Sequence, residues 1–121
     1  LIKLITPTTD DQRIKEIVKD ATGFIYSVNL KGITGVKTAK VNEANDQVKR
    51  IKKHTNLPVV AGFGIKTEED VKSFSESDCS GIVIGSAIIQ KVTESVKKNE
   101  DKHIVANVIR DYCKRIIKIL N

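Results

Sequence analysis

The chain contains no methionine and no tryptophan, and only two prolines, two cysteines, three phenylalanines and two tyrosines. Each scarcity removes a class of protein. Cys79 and Cys113 fit no metal-ligand or redox spacing, so no metal is expected and both read as buried, reduced thiols. So few aromatic rings leave no platform for stacking bases, and no nucleic-acid motif replaces it. No apolar run approaches the roughly 18 residues that span a bilayer, and the amino terminus lacks the basic, apolar and small-residue zones of a signal peptide. These absences predict no membrane association and a cytoplasmic address. Without a methionine the chain has no initiator of its own, so a fragment or processed piece is expected, opening directly on the strand-like Leu1-Ile2-Lys3-Leu4-Ile5.

With 121 residues and 40% hydrophobic content, the chain suits one ordinary domain spanning 1–121 and is too short for two. The net charge of +6 hints at nucleic acid, but Lys49, Arg50, Lys52 and Lys53 share a stretch with helix-spaced apolar residues and read as a solvated helix face. A mild positive field that attracts a phosphorylated metabolite is compatible with the same charges.

Hydrophobic patterning alternates between strand and helix. Leu1 to Ile5 reads as a buried strand ended by Thr6-Pro7. Thr8-Thr9-Asp10-Asp11 then supplies cap residues and first-turn acids ahead of Ile14, Ile17, Val18 and Ala21, which recur at helical spacing. Phe24 to Val28 is the second strand, placing Phe24, Tyr26 and Val28 on one face and Ile25 on the other. Asn29 to Asn42 reads as a long connection holding Gly32-Ile33-Thr34-Gly35, and Val41, Ala44, Val48 and Ile51 mark a helix ending near His54, a residue suited to a helix C-terminus. Leu57 to Ala61 is the third strand. Thr67-Glu68-Glu69-Asp70 resembles a capping box ahead of a short helix faced by Val71 and Phe74. Gly81 to Ile84 is the fourth strand, Ala87 to Val96 a helix, and about Asp101 to Leu120 the longest helix, with a wide apolar stripe that includes Ile104, Val108, Tyr112, Ile116 and Leu120.

Two turns stand out, Ala61-Gly62-Phe63-Gly64-Ile65 and Ile84-Gly85-Ser86-Ala87-Ile88. Each joins a strand to a helix. Glycine there lets backbone approach an anion, and free N–H groups with the helix dipole supply the attraction. Four strands alternating with helices predict a parallel sheet with right-handed crossovers. Two architectures remain open on these grounds, a doubly wound sheet or half of an eight-stranded barrel. The barrel gains from the glycine turns, since barrels often bind phosphate at the loops after strands seven and eight.

Taken together, Gly32-Ile33-Thr34-Gly35 after Gly-Phe-Ile-Tyr, Gly62-Phe63-Gly64-Ile65 and Gly85-Ser86-Ala87-Ile88 resemble the tryptophan synthase alpha chain family. The resemblance runs from Leu1 to the C-terminus and implies the C-terminal half of a (β/α)8 TIM barrel, strands five to eight with a C-terminal packing helix. It further implies aldol-type cleavage of indole-3-glycerol phosphate to indole and glyceraldehyde 3-phosphate by the complete alpha chain, without a cofactor, in an α2β2 complex whose β subunit receives the indole. Backbone N–H groups of Gly35, Gly64, Gly85 and Ser86, with the Ser86 hydroxyl, would hold the substrate phosphate. Tyr26 and Phe63 would line the pocket, and Thr34 would sit on a closing sixth loop.

Family members draw a catalytic glutamate and aspartate from earlier strands, and none of the strand ends here supplies one. Asp10 and Asp11 read as cap and dipole partners, and His103 as a solvated first-turn residue. No catalytic residue is therefore expected in this segment, and the segment alone is expected to be inactive. Its edge strands predict that it is unstable, dimeric or aggregation-prone by itself. The alternatives are another phosphate-binding barrel enzyme of amino-acid or sugar-phosphate metabolism and a non-catalytic phosphate-binding half-barrel.

Overall fold

The computed structural model describes the backbone of residues 1–28, 37–62 and 64–121, and their side chains except at 37–40. The β-branched runs form four strands, β1 (Lys3–Ile5), β2 (Ile25–Val28), β3 (Val59–Gly62) and β4 (Gly81–Val83). Helices α1 (Asp11–Lys19), α2 (Lys37–Lys52), α3 (Glu68–Ser75) and α4 (Ser86–Lys97) follow them in turn, and α5 (Lys102–Leu120) ends the chain.

The sheet order is β1-β2-β3-β4, with every pair parallel. Each strand thus lies beside its successor, and every crossover steps in the same direction. A doubly wound sheet reverses its order at a switch point; this one does not. The unreversed order decides between the two architectures in favour of a barrel wall.

Alternation along the strands separates two faces. Ile5, Ile25, Ser27, Val59 and Ala61 are completely buried on one of them. There Ile5, Ile25 and Val59 join Ile14 of α1 and Val48 and Ile51 of α2 in one apolar cluster. Ala61 joins a second cluster with Ala44 of α2, Ile65 of the turn after β3, Val71 and Phe74 of α3, Ala87 of α4, and Tyr112 and Ile116 of α5. Cys79 packs against both. On the opposite face Leu4 and Val83 are 59% and 38% exposed, while Tyr26, Val28 and Val60 are half-buried. The helices therefore cover one side of the sheet, as on a barrel wall, and among the described residues no helix lies over the side that would face a barrel's interior.

Short polar contacts set the helix starts. Asp10 caps α1 by accepting from the Arg13 N–H at 2.7 Å. Asp101 caps α5 by accepting from the N–H groups of His103 and Ile104 at 2.7 and 3.1 Å. Asp11 pairs with Arg50 of α2 at 3.2 Å, and an Arg50 guanidinium N–H also donates to the Thr9 carbonyl. Both aspartates are thus committed to anchoring α1. Gln47 Nε2 donates to the Ile5 carbonyl at 3.2 Å, tying α2 to β1 from the buried side.

Several boundaries differ from the sequence expectation. Helix α2 begins at Lys37, five residues ahead of the expected end of the loop at Asn42. Residues 37–40 carry no apolar stripe, yet a helix nucleated by Val41, Ala44, Val48 and Ile51 propagates backwards at one hydrogen bond per residue. Strand β3 starts at Val59, because Pro58 has no N–H to give; its carbonyl still accepts from the Ile25 N–H at 2.9 Å. The α5 stripe is narrower than its apolar spacing suggests: Tyr112 and Ile116 are buried, but Ile104, Ile117 and Leu120 are 45%, 55% and 42% exposed. Cys79 and Cys113 are free thiols but only half-buried.

Candidate anion site at the strand ends

Strands β3 and β4 run side by side with Gly62 opposite Val83. Gly64 lies two residues beyond the first and Gly85 two beyond the second, so both turns leave the sheet on the same rim. Each turn is pinned by the residue that follows its exposed part. Gly64 is exposed and Ile65 is buried; Ser86 is exposed and Ala87 is buried. Ile65 and Ala87 belong to one apolar cluster, which brings the two turns together without using their polar groups.

The two helix starts on this rim differ. At α3 the capping box is complete: the Asp70 N–H donates to Thr67 Oγ1 at 3.1 Å, while Asp70 Oδ2 accepts from the N–H groups of Thr67 and Lys66 at 2.9 and 3.0 Å. Its own carboxylate occupies the place an external anion would take. At α4 the cap residue is Gly85, which has no side chain to cap the helix, and none of the described side chains stands in its place. Its first intrahelical bonds are the Ile88 and Ile89 N–H groups donating to the Gly85 carbonyl, at 3.0 and 3.1 Å. The earlier N–H groups of that turn, those of Ser86 and Ala87, have no intrahelical acceptor and sit at the positive end of the helix dipole. Helices α1, α3 and α5 all have a side-chain cap; α4 does not.

Backbone geometry keeps the rim open. Gly64 has φ of +81°, in the left-handed region where a side chain is strained, and a Cβ there would meet nothing within 4 Å. A Cβ at Gly85 would also meet nothing within 4 Å among the described residues. Gly62 is the opposite case, since an added Cβ would overlap the Tyr26 phenol. Tyr26 sits opposite Val60, so Gly62 is its diagonal neighbour on the bare face, and the missing side chain lets the ring lie across β3 toward the rim. Sequence reading names Tyr26 as a pocket wall and overlooks Gly62 as the residue that makes room for it. The only sequence signal is a glycine two positions along one strand face, and the strand register that pairs it with Tyr26 is not written in either segment.

Of the expected site residues, Gly64, Gly85, Ser86 and Tyr26 lie on this rim or directly beneath it. Thr34, Gly35 and Phe63 lie outside the described residues. Among the described residues, no group of three or more His, Cys, Asp or Glu side chains could hold a metal ion, and no helix is long and apolar enough to cross a membrane.

Four parallel strands in sequential order, helices on one face only and glycine turns on one rim define half of a (β/α)8 barrel. Comparison with known proteins names the family. The family model of the tryptophan synthase alpha chain matches residues 1–118, and the chain belongs to that family. It is 44% identical over 101 residues to the tryptophan synthase alpha chain of Phenylobacterium zucineum, covering 84% of this chain and 36% of the relative. Against the alpha chain of Staphylococcus haemolyticus the identity is 45% over 101 residues, covering 84% and 40%. The solved structure of tryptophan synthase subunit alpha from Campylobacter jejuni superimposes with a TM-score of 0.70 at 35% identity, over 92% of this chain and 41% of that one. The chain thus spans well under half the length of these relatives.

Proposed function

We propose that this chain serves tryptophan biosynthesis as the phosphate-holding part of a barrel that cleaves indole-3-glycerol phosphate to indole and glyceraldehyde 3-phosphate. Family membership supports the pathway. The observation that carries the site is the uncapped N-terminus of α4 beside Gly64, on a rim where the neighbouring helix α3 has filled its own cap.

In this reading the N–H groups of Gly64, Gly85 and Ser86, with the Ser86 hydroxyl, hold the phosphate, and Gly35 completes the clamp. Tyr26 and Phe63 wall the pocket, and Thr34 rides on a loop that closes over the substrate. Cleavage breaks the bond between indole C3 and the glycerol chain. C3 gains a proton, and the adjacent hydroxyl loses one as it becomes the aldehyde, so an acid and a base must stand near those atoms. Asp10 and Asp11 are engaged in anchoring α1, and both groups would come from elsewhere in the complete protein. This segment fixes the phosphate end, so that binding energy far from the breaking bond positions the reacting carbons. A β subunit, expected in an α2β2 complex, would receive the indole.

Gly85→Asp tests the clamp. Position 85 is open and its φ is −121°, so the substitution is expected to leave the fold intact while its carboxylate caps α4 and repels phosphate. In the complete protein, KM for indole-3-glycerol phosphate should rise about tenfold or more, the equivalent of losing ~1.4 kcal/mol of binding. Protection against thermal unfolding by inorganic phosphate should vanish. Unchanged protection would overturn the assignment.

A further inference from the structure

The two glycine turns rest on one apolar cluster, and the part of it that comes from farthest along the chain is α5. Ile65 follows the first turn and Ala87 lies just past the second, and both pack in the cluster that Tyr112 and Ile116 of α5 complete. Helix α5 packs on both α3 and α4, the helices these turns lead into, whereas α3 and α4 make no comparable contact with each other. Two direct contacts tie α5 to them. Arg115 Nε pairs with Glu68 Oε1 at 2.8 Å, and Glu68 is the first residue of α3, four beyond Gly64. The Lys91 ammonium stands 4.7 Å from the Tyr112 ring centroid, and Lys91 is in the second turn of α4, six residues beyond Gly85. Tyr112, Arg115 and Ile116 are three and four residues apart, so they share one face of α5.

We infer that α5 is the positioning element of the phosphate clamp, with Tyr112 as its central positioning residue, a role that rests on the phosphate reading of that rim. An anion shared between Gly64 and the start of α4 needs donors from two turns at one spacing. The turns belong to different strand-helix units, and a glycine in each leaves its backbone unusually free. The cluster beneath them supplies the restraint. Tyr112 is 4% exposed, and its ring is wedged between α3 and α4 by packing and by the cation over its face. Close-packed interiors pass a displacement on instead of absorbing it, so shrinking that ring moves α4 against α3, and Gly85 and Ser86 against Gly64. The linkage is reciprocal: phosphate bridging the turns steadies α5 to the same extent that α5 steadies the turns.

In the complete protein, Tyr112→Leu should raise the dissociation constant for inorganic phosphate about tenfold, within the range that mutations between coupled sites produce, and raise KM for indole-3-glycerol phosphate in parallel. Tyr112→Phe keeps the ring under Lys91 and should retain the affinity of the unsubstituted protein. Ile14→Ala truncates a residue of the other apolar cluster, so it should cost stability and leave phosphate affinity unchanged. Hydrogen exchange without any ligand gives a second readout. The Ile88 and Ile89 amides, which bond to the Gly85 carbonyl, should exchange faster in Tyr112→Leu than in Ile14→Ala. Where Tyr112→Leu fails to fold, Ile116→Val on the same face of α5 carries the test, at about threefold in phosphate affinity. Equal losses of affinity in Tyr112→Leu and Ile14→Ala would overturn the inference by reducing the role to general stability. Unchanged affinity in Tyr112→Leu, alongside protection that Gly85→Asp abolishes, would overturn the inference and leave the clamp standing. An unsubstituted protein that phosphate does not protect would overturn the clamp itself, and the role of α5 with it.

Discussion

Alternate residues of the same four strands end in opposite surroundings. On one face Ile5, Ile25, Val59 and Ala61 are fully buried beneath helices; on the other Leu4 and Val83 remain exposed and Tyr26, Val28 and Val60 only half-covered. The residue types overlap, since branched aliphatic side chains supply most of both faces, with Tyr26 on the open one and Ser27 and Ala61 on the covered one. Local β preference is therefore equal on the two sides, and what separates them is whether another layer arrives. Burial supplies the stabilisation on the covered side, at about 25 cal/mol per Å² of apolar surface removed from water, and nothing comparable acts on the other within a single copy.

The largest test of this contrast is to truncate matching residues on the two faces. Ile25→Ala empties a site walled by α1, α2 and the neighbouring strands, and should cost about 2–5 kcal/mol, whatever the protein concentration. Leu4→Ala removes a side chain that is already 59% exposed and should shift the unfolding free energy of the dilute chain by no more than about 0.5 kcal/mol. Denaturant unfolding of the two variants separates them, and equal losses at both positions would break the distinction between the faces.

A smaller effect is expected at the one place where the bare face is well packed. Gly62→Ala drives a methyl group into the Tyr26 phenol and should cost about 1–3 kcal/mol as an overpacking change. Tyr26→Ala in the same chain should restore part of that loss, because it removes the ring that the methyl meets. A double-mutant cycle measures the coupling. Additive losses would show that the ring does not rest on Gly62.

How much of this was legible in the sequence depends on the range of the interactions. The capping box at Thr67 and Asp70, the cap at Asp10 and the four strand-helix units follow from neighbours in the chain, and they stand close to where the patterning puts them. The glycine turns were legible for the same reason: a glycine beside a helix start carries its meaning locally. Strand order was not, since β1-β2-β3-β4 and a reversed order need the same segments, and only the order excludes a doubly wound sheet. Period-two alternation at Phe24 to Val28 separates two faces but cannot say which one the helices cover. The early start of α2 at Lys37 was missed because polar residues extended a helix that later residues had paid for. Cys79, expected to be buried, is half-buried where two apolar clusters meet, a position set by tertiary packing alone.

The smallest effect sharpens the contrast from the covered side. Tyr112 of α5 is 4% exposed, and its hydroxyl has no hydrogen-bond partner among the described residues, while the Lys91 ammonium lies 4.7 Å from the ring centroid. Burial first, then the charges of Cys113 and Glu68, push the phenol above its ordinary value of 10.0; Arg115 opposes them and Asp70 adds to them. A raised acid holds its proton longer in the folded chain than in the unfolded one. Its contribution is therefore complete below about pH 10 and declines as pH rises from there through the folded value, because the unfolded chain then binds fewer protons. Tyr112→Phe removes that alkaline decline. At neutral pH it should also gain up to about 1 kcal/mol, since it deletes a buried hydroxyl without a partner and keeps the aromatic face under Lys91. Denaturant unfolding of both chains at pH 7 and above pH 10 measures the two effects. A loss of 1 kcal/mol or more at pH 7, at the order of magnitude of one hydrogen bond, would mean that the hydroxyl is bonded in the folded chain and that the covered face is more fully satisfied than its packing indicates.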